Sequence, residues 1–333
     1  MTLHDDYGVI HPGAALAEVA PRGLIGLSGR DRATYLHGLL TNDISTLKAG
    51  AGCYAAWLTA QGRMTTDMHV LESGDMMLLD LPVATTSAVL ARLDQFLFSE
   101  DVQLADLSAE LRRVEVHGPE AAAVIATACG NPESLADLAS WVQCRNARVP
   151  FGDGAGDGAV VVARIERLGV PGHVLYVAAA DEAALRSALQ AAGAKAVSPE
   201  AVEAARIEAG WPVFGVDMDE HIIPLEAGIE SRAISMTKGC YVGQEVIVRV
   251  LHRGHGRVAK KLVGLRVEGE GPVEAGEKLD SGDAEMGYVT SSAVSPEHGC
   301  VALGYLHRDH SKPGTTVRTA SGRTAVVTPF PKP

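Results

Sequence analysis

Residues 261–267, Lys-Leu-Val-Gly-Leu-Arg-Val, open a stretch that reads unlike the chain before it. Similar short apolar runs recur at 286–291, 300–306, 315–319 and 324–328, separated by Gly, Pro, Asp and Ser. Runs of this length, broken by turn formers, are the rhythm of a small all-β barrel or sandwich. A boundary is therefore expected near 255–260, with a separate β unit after it.

Working back from that boundary, strands and helices alternate less regularly. Residues 22–28 read as a strand, and Ala33, Leu36, Leu39 and Leu40 then share one helix face until Thr41-Asn42-Asp43 ends it. Strand-like runs at 52–59, 63–71 and 75–81 are joined by turns at Gln61-Gly62 and Ser73-Gly74-Asp75, which suggests an antiparallel meander. A helix at 85–98 and strands at 101–107 and 111–117 follow. Gly118-Pro119-Glu120 opens another helix, which Gly130 closes. Phe151 to Gly158 alternates Asp with Gly and reads as a hairpin tip, because its spacing does not fit an EF-hand loop. Strands at 159–166 and 173–179 lead to a helix between Asp181 and Gly193, then to a second that starts at Ser198-Pro199-Glu200 and ends before Gly210.

The chain has 333 residues, 47% apolar and 21% charged, so about two or three soluble compact units are expected. A net charge of −12 argues against a general binder of nucleic-acid backbone. The five cysteines, Cys53, Cys129, Cys144, Cys240 and Cys300, are odd in number and form no Cys-x-x-Cys pair. That fits neither a disulfide framework nor a zinc ribbon, and a reducing compartment suits it better. No apolar run is long enough to span a bilayer, and the first residues lack the pattern of a signal peptide. A cytoplasmic monomer is the expectation. Dinucleotide-binding, P-loop and serine-hydrolase fingerprints are all missing from the sequence.

Residues 238–245, Lys-Gly-Cys-Tyr-Val-Gly-Gln-Glu, set one thiol between Gly239 and Tyr241, with Gly243 close behind. Glycines let a ligand or backbone approach Cys240, and Lys238 is a cation able to favour its thiolate. The same residues also read as a turn into an apolar strand Val246-Ile247-Val248, with Cys240 as a small buried side chain. The octapeptide alone leaves both open. Glu208 closes its helix at the negative end of the dipole, which costs a few tenths to about 1 kcal/mol. Either water solvates it, or it faces a ligand that donates two hydrogen bonds, such as an amino-pyrimidine edge. Asp67 shares a strand face with Thr65 and His69, and an aspartate in mid-strand reads most simply as lying on an exposed face. Asp217, Asp219, Glu220 and His221 read as a solvated acidic loop rather than a metal site. Arg249, Arg253, Arg257, Lys260 and Lys261, with His252 and His255 between them, form a basic run, either an exposed linker or an anion clamp.

Taken together these blocks resemble a known family. Gly29-Arg30-Asp31-Arg32 with Thr41-Asn42-Asp43, Leu58 to Arg63 with Asp67, and Arg206 to Gly210 with Asp217 to Glu220 are similar to the glycine cleavage T-protein (aminomethyltransferase). Lys238 to Glu245 resembles the signature of its folate-binding YgfZ branch. The resemblance implies an α+β fold of antiparallel-sheet domains with helices plus a small C-terminal β-barrel, arranged around a central folate cleft. It implies a discontinuous first domain of 1–50 and 140–255, a second of 51–139 and a third of 256–333. It implies tetrahydrofolate or a one-carbon derivative as cofactor, Glu208 on the pterin and Asp67 near the reactive nitrogens. Beyond the resemblance, Tyr241 and Arg249 are expected as further folate contacts, with the basic run 249–261 holding the folate glutamate tail. Thr66 stands where the T-protein has the first of two aspartates, which counts against methylene transfer. The YgfZ branch points instead to folate-dependent assembly or repair of iron–sulfur proteins, with iron–sulfur clients as partners and Cys240 as the key thiol lining or adjoining the cleft.

Overall fold

The strands pair into two antiparallel-rich sheets and a barrel. The computed structural model describes residues 2–152, 158–254, 256–282 and 284–330. The aspartate–glycine tip expected between Phe151 and Gly158 falls outside the described residues at 153–157.

The first sheet runs Gly52–Leu58, Met64–Glu72, Met77–Pro82, Arg22–Ser28, Gln103–Asp106, every neighbouring pair antiparallel. Its inner strands are almost wholly buried, although Met64–Glu72 carries Asp67 and His69 among its apolar residues. One face carries Trp57, Met68, Val70 and Leu79 against the helices Arg32–Leu39 and Val83–Gln95. The other presents Leu24, Leu71 and Leu78 to Ala163, Ile165, Val174 and Tyr176 of the second sheet. That sheet runs Lys195–Val197, Ala15–Ala17, Leu111–His117, Gly172–Ala178, Ala159–Arg164, Asn146–Pro150, with the first pair parallel.

The sheets cut across the expected division of 1–50 with 140–255 from 51–139. Strand Arg22–Ser28 lies inside the sheet formed by residues 52–106, and Leu111–His117 inside the sheet formed by residues 146–178. The reason is pairing: Leu24, Ile25 and Leu27 are all fully buried, so their strand needs a neighbour on each edge and cover on each face.

The apolar rhythm after residue 258 closes into a six-stranded barrel: Lys260–Val267, Gly299–His307, Ala284–Ser295, Lys278–Ser281, Thr316–Thr319, Thr324–Thr328. The helix Pro199–Glu208 connects the parts, with proline at its start where a missing N–H costs nothing. Ala201, Ala204 and Ala205 pack on Tyr7 and Ile10 of the helix Leu3–Ile10, and Arg206 reaches Ser291 of the barrel at 2.9 Å. Among the described residues no helix is long and apolar enough to cross a membrane.

Candidate functional site

Where the two sheets meet the helix Pro199–Glu208 there is a cavity of about 340 Å³. Strand Met64–Glu72 supplies Asp67 and His69, which alternation places on one face. The simple expectation of an exposed face fails: Asp67 and His69 are each only 5% exposed. Alternation fixes which residues share a face, and the second sheet covers this one.

Asp67 is held by one short bond, with Tyr54 Oη donating to Oδ2 at 2.5 Å. Its Oδ1 is buried and has no hydrogen-bond partner among the described residues. The same is true of both ring nitrogens of His69. Burial pushes the Asp67 carboxyl above its ordinary range, against the pull of Arg22. Burial pulls the His69 imidazole down to about 3, so it is neutral at physiological pH. Tyr54 and Trp211 form an aromatic wall with ring centroids 6.1 Å apart, and the Arg232 guanidinium stacks 3.8 Å over Trp211.

A chain of buried ions backs this cavity. Arg22 Nε donates to Asp80 Oδ1 at 2.5 Å, Arg113 Nε to Asp80 Oδ2 at 2.8 Å, and Tyr176 Oη to Asp80 Oδ2 at 2.6 Å. Burial alone would raise the Asp80 carboxyl, but Arg113 and Arg22 overcome it and hold the group well below the usual carboxylate range. Arg113 also donates to Glu115, and Arg167 Nε donates to Glu115 Oε2 at 2.6 Å. Arg206 donates to Glu203, Asp217, Ser291 and the Trp211 carbonyl.

The remaining expected residues are not in this cavity. Glu208 points to a different hollow of about 480 Å³, shared with Tyr7, His11, Arg266, His298 and Phe330. Tyr7 Oη donates to its Oε2 at 2.5 Å. The helix period explains the correction, since Val202, Glu203 and Arg206 occupy the cavity side and Glu208 lies on the opposite face. The carboxylate that borders the Asp67 cavity from this helix is Glu203.

Cys240 is exposed and is not among the residues lining the cavity. Lys238 does not serve its thiolate: the ammonium donates to the carbonyls of His37, of Leu40 at 2.5 Å and of Asn42 at 3.1 Å. Those three acceptors tie the octapeptide to the end of the helix Arg32–Leu39. Tyr241 is buried in an apolar core and burial pushes its phenol up to about 12, so it is no cavity contact. Arg249 lies exposed on the helix Gln244–His252, as do Arg253 and Arg257 beyond it, and none lines the cavity. His255 of the same run falls outside the described residues. Asp217 is a buried tie, and Glu220 and His221 are exposed. Among the described residues no group of three His, Cys, Asp or Glu is placed to hold a metal.

Sequence reasoning missed Arg22, Tyr54, Arg113, Arg167 and Trp211. Charged residues inside otherwise apolar strands were the available signal: Asp80 sits between Leu79 and Leu81, and Arg113 beside Val114.

Residues 2–238 match the GCVT N-terminal domain, and residues 260–333 match the glycine cleavage T-protein C-terminal barrel domain. An aminomethyltransferase of Rubrobacter xylanophilus is 30% identical over 302 residues, covering 90% of this chain and 78% of its own. One from Saccharopolyspora erythraea is 28% identical over 329 residues, covering 96% and 86%. Among solved structures, the glycine cleavage system aminomethyltransferase T from Bartonella henselae superposes with a TM-score of 0.84 at 21% identity, covering 99% of this chain and 89% of its own.

Proposed function

We propose that this chain, which belongs to the glycine cleavage T-protein family, binds a reduced folate in the Asp67 cavity and handles a one-carbon unit there. One observation carries the reading: Asp67 Oδ1 and both His69 nitrogens are buried without a partner beside an aromatic wall. Buried polar atoms are rarely left unpaired in folded proteins, so a cavity that keeps several is built for a polar ligand. A reduced pterin fits that donor set, with N–H groups for a carboxylate and a flat ring for Trp211 and Tyr54. Bound tetrahydrofolate supplies nitrogens that accept a one-carbon unit.

The chain's own residues do the rest. Tyr54 fixes the Asp67 carboxyl through Oδ2 and leaves Oδ1 to accept or return a proton. Burial makes that carboxyl a better proton acceptor than an aspartate in water. Neutral His69 can donate from one nitrogen and accept at the other. The second sheet and the helix Pro199–Glu208 keep bulk water off both.

Aminomethyl transfer to folate is the activity that the curated relatives support. A specific pair of observations favours a second reading, the YgfZ type acting in folate-dependent assembly or repair of iron–sulfur proteins. Thr66 stands beside Asp67 with its hydroxyl 2.9 Å from that of Thr85, leaving one carboxylate at this point of the strand. Cys240, in turn, is presented to solvent on an anchored motif.

Calorimetric titration with tetrahydrofolate tests the shared part, and saturable binding that is weakened in Asp67→Asn is the expected result. Transfer from an aminomethyl-lipoyl carrier protein tests the first activity, with Cys240→Ala neutral. Complementation of an iron–sulfur maturation defect tests the second, with Cys240→Ala inactive. No saturation with tetrahydrofolate refutes the proposal as a whole.

A further inference from the structure

Of the arginines lining this cavity, Arg22, Arg113, Arg167 and Arg206, only Arg167 has no acceptor at either terminal nitrogen among the described residues. Arg22 and Arg113 share Asp80, and Arg22, Arg113 and Arg206 each have a further acceptor at a terminal nitrogen, for Arg22 the Asp80 carbonyl at 2.9 Å. Arg167 donates only through Nε, to Glu115 Oε2 at 2.6 Å. A guanidinium carries five N–H donors in a planar fork, and the terminal pairs match a carboxylate. Glu115 is shared with Arg113 and lies 2.7 Å from His117 Nε2, so it does not neutralise Arg167 alone. Burial, and after it the charges of Arg206 and Arg22, pull the Arg167 guanidinium down to about 10. The side chain keeps its terminal donors free at the cavity, fixed in direction by its Nε bond to Glu115.

We infer that Arg167 anchors a carboxylate of the bound ligand and so selects ligands that carry one. The inference rests on the folate reading, in which the only carboxylates are those of the glutamyl tail. Asp67 and His69 then take the ring, and Arg167 takes the tail from the same cavity. Recognition is split between a neutral-ring end and an anionic end.

The test compares tetrahydrofolate with 6-methyltetrahydropterin, which has the same reduced ring but no glutamyl tail. Both are titrated calorimetrically into the wild type, Arg167→Gln, Arg167→Lys and Asp67→Asn. A charge-assisted bond left unmade corresponds to roughly a tenfold to hundredfold loss. Wild type is expected to prefer the folate by at least about tenfold. Arg167→Gln should lose that preference by weakening folate binding alone. Arg167→Lys should keep part of it, and Asp67→Asn should weaken both ligands together. The ratio within each variant cancels any partial loss of folded protein. Tetrahydrofolate binding with an unchanged ratio in Arg167→Gln overturns this inference and leaves the folate reading standing. A wild type that saturates with neither ligand overturns both.

Discussion

Asp67 trades stability for readiness. Its folded-state proton affinity is raised by burial, so ionisation is disfavoured in the fold relative to the unfolded chain. The sign follows from linkage: the stabilising contribution is complete below the unfolded value near 3.9 and is lost as pH rises through the raised folded value. Asp67→Asn, which keeps an acceptor for Tyr54 Oη, should therefore melt higher than wild type at pH 8, with the gap closing toward pH 4. Thermal melts across that range decide it, and a variant that melts lower at pH 8 contradicts the assignment. Cys240 gives a second residue-scale outcome. Burial raises Cys53 to about 12 and Cys129 to about 11, and Cys144 and Cys300 are buried. A disulfide reagent such as DTNB should titrate one fast thiol per native chain, and Cys240→Ser should abolish that phase. What the sequence disclosed here was identity without direction. Asp67, Glu208 and Cys240 were all legible as unusual, but periodicity alone does not say what covers a face. Asp67 went to the interior because the second sheet lies over it, and Glu208 went to the wrong side of its helix for that cavity. Lys238 looked like a thiol partner because it is two residues away, whereas three carbonyls on a distant helix end claim its donors. Lys238→Ala should cost about 1.5–3 kcal/mol in urea unfolding, because buried carbonyls lose a charged donor.

At the scale of elements, the helix Gln244–His252 is the instructive case. Val246-Ile247-Val248 is β-branched and reads as a strand, yet the segment is helical. Ile247 alone is buried there, and Val248 and Arg249 are exposed, so one face packs and the rest is solvated. Tertiary placement overrides the local preference, and Gly243 starts it. That glycine has φ +85, and a Cβ on it would lie 2.5 Å from the Thr59 carbonyl oxygen. The turn between Leu58 and Met64 fits against the same point, where Gly62 at φ +74 sits beside Val246. Gly243→Ala should therefore destabilise by about 1–3 kcal/mol from backbone strain, with the steric overlap adding to it. The diagnostic readout is hydrogen exchange, which should quicken both in 244–252 and across the turn at 59–63. Quickening in only one of them would mean that the two elements do not brace each other. Elements with a clean period, such as the strands at 22–28 and 111–117 and the helix Pro199–Glu208, were legible nearly to their ends. The three-residue strands Ala15–Ala17 and Lys195–Val197 were not, because so short a segment carries no period.

In the whole molecule, the helix that borders the cavity, Pro199–Glu208, also reaches the barrel through Arg206. Besides the apolar contacts of Leu262, Val301, Leu303 and Tyr305 with Ile207 and Ile222, a buried carboxylate ties the barrel to the rest. Asp217 Oδ1 accepts from Thr290 Oγ1 at 2.5 Å and Ser291 Oγ at 2.7 Å, both on the barrel strand Ala284–Ser295. Its Oδ2 accepts from Arg206 at 2.7 Å and from the Val213 amide at 3.0 Å. Arg206 in turn donates to Glu203 and to the Trp211 carbonyl, so the tie also positions the aromatic wall of the cavity. The acidic cluster around Asp217 looked like a solvated loop because its neighbours Glu220 and His221 are indeed exposed. Only the first member turns inward, and no spacing rule marks it. Removing one partner of a buried ion pair leaves the other charge uncompensated, at a cost of about 3–5 kcal/mol. Asp217→Ala should show that loss in chemical denaturation, and limited proteolysis should open the connection near 254–259 before either part is degraded. Tetrahydrofolate binding should weaken in step, since Arg206 and Trp211 lose their common fixture although neither is changed. If Asp217→Ala keeps wild-type affinity while losing stability, the barrel is only a lid fastened to an already complete site, and the cavity owes its shape to the two sheets alone.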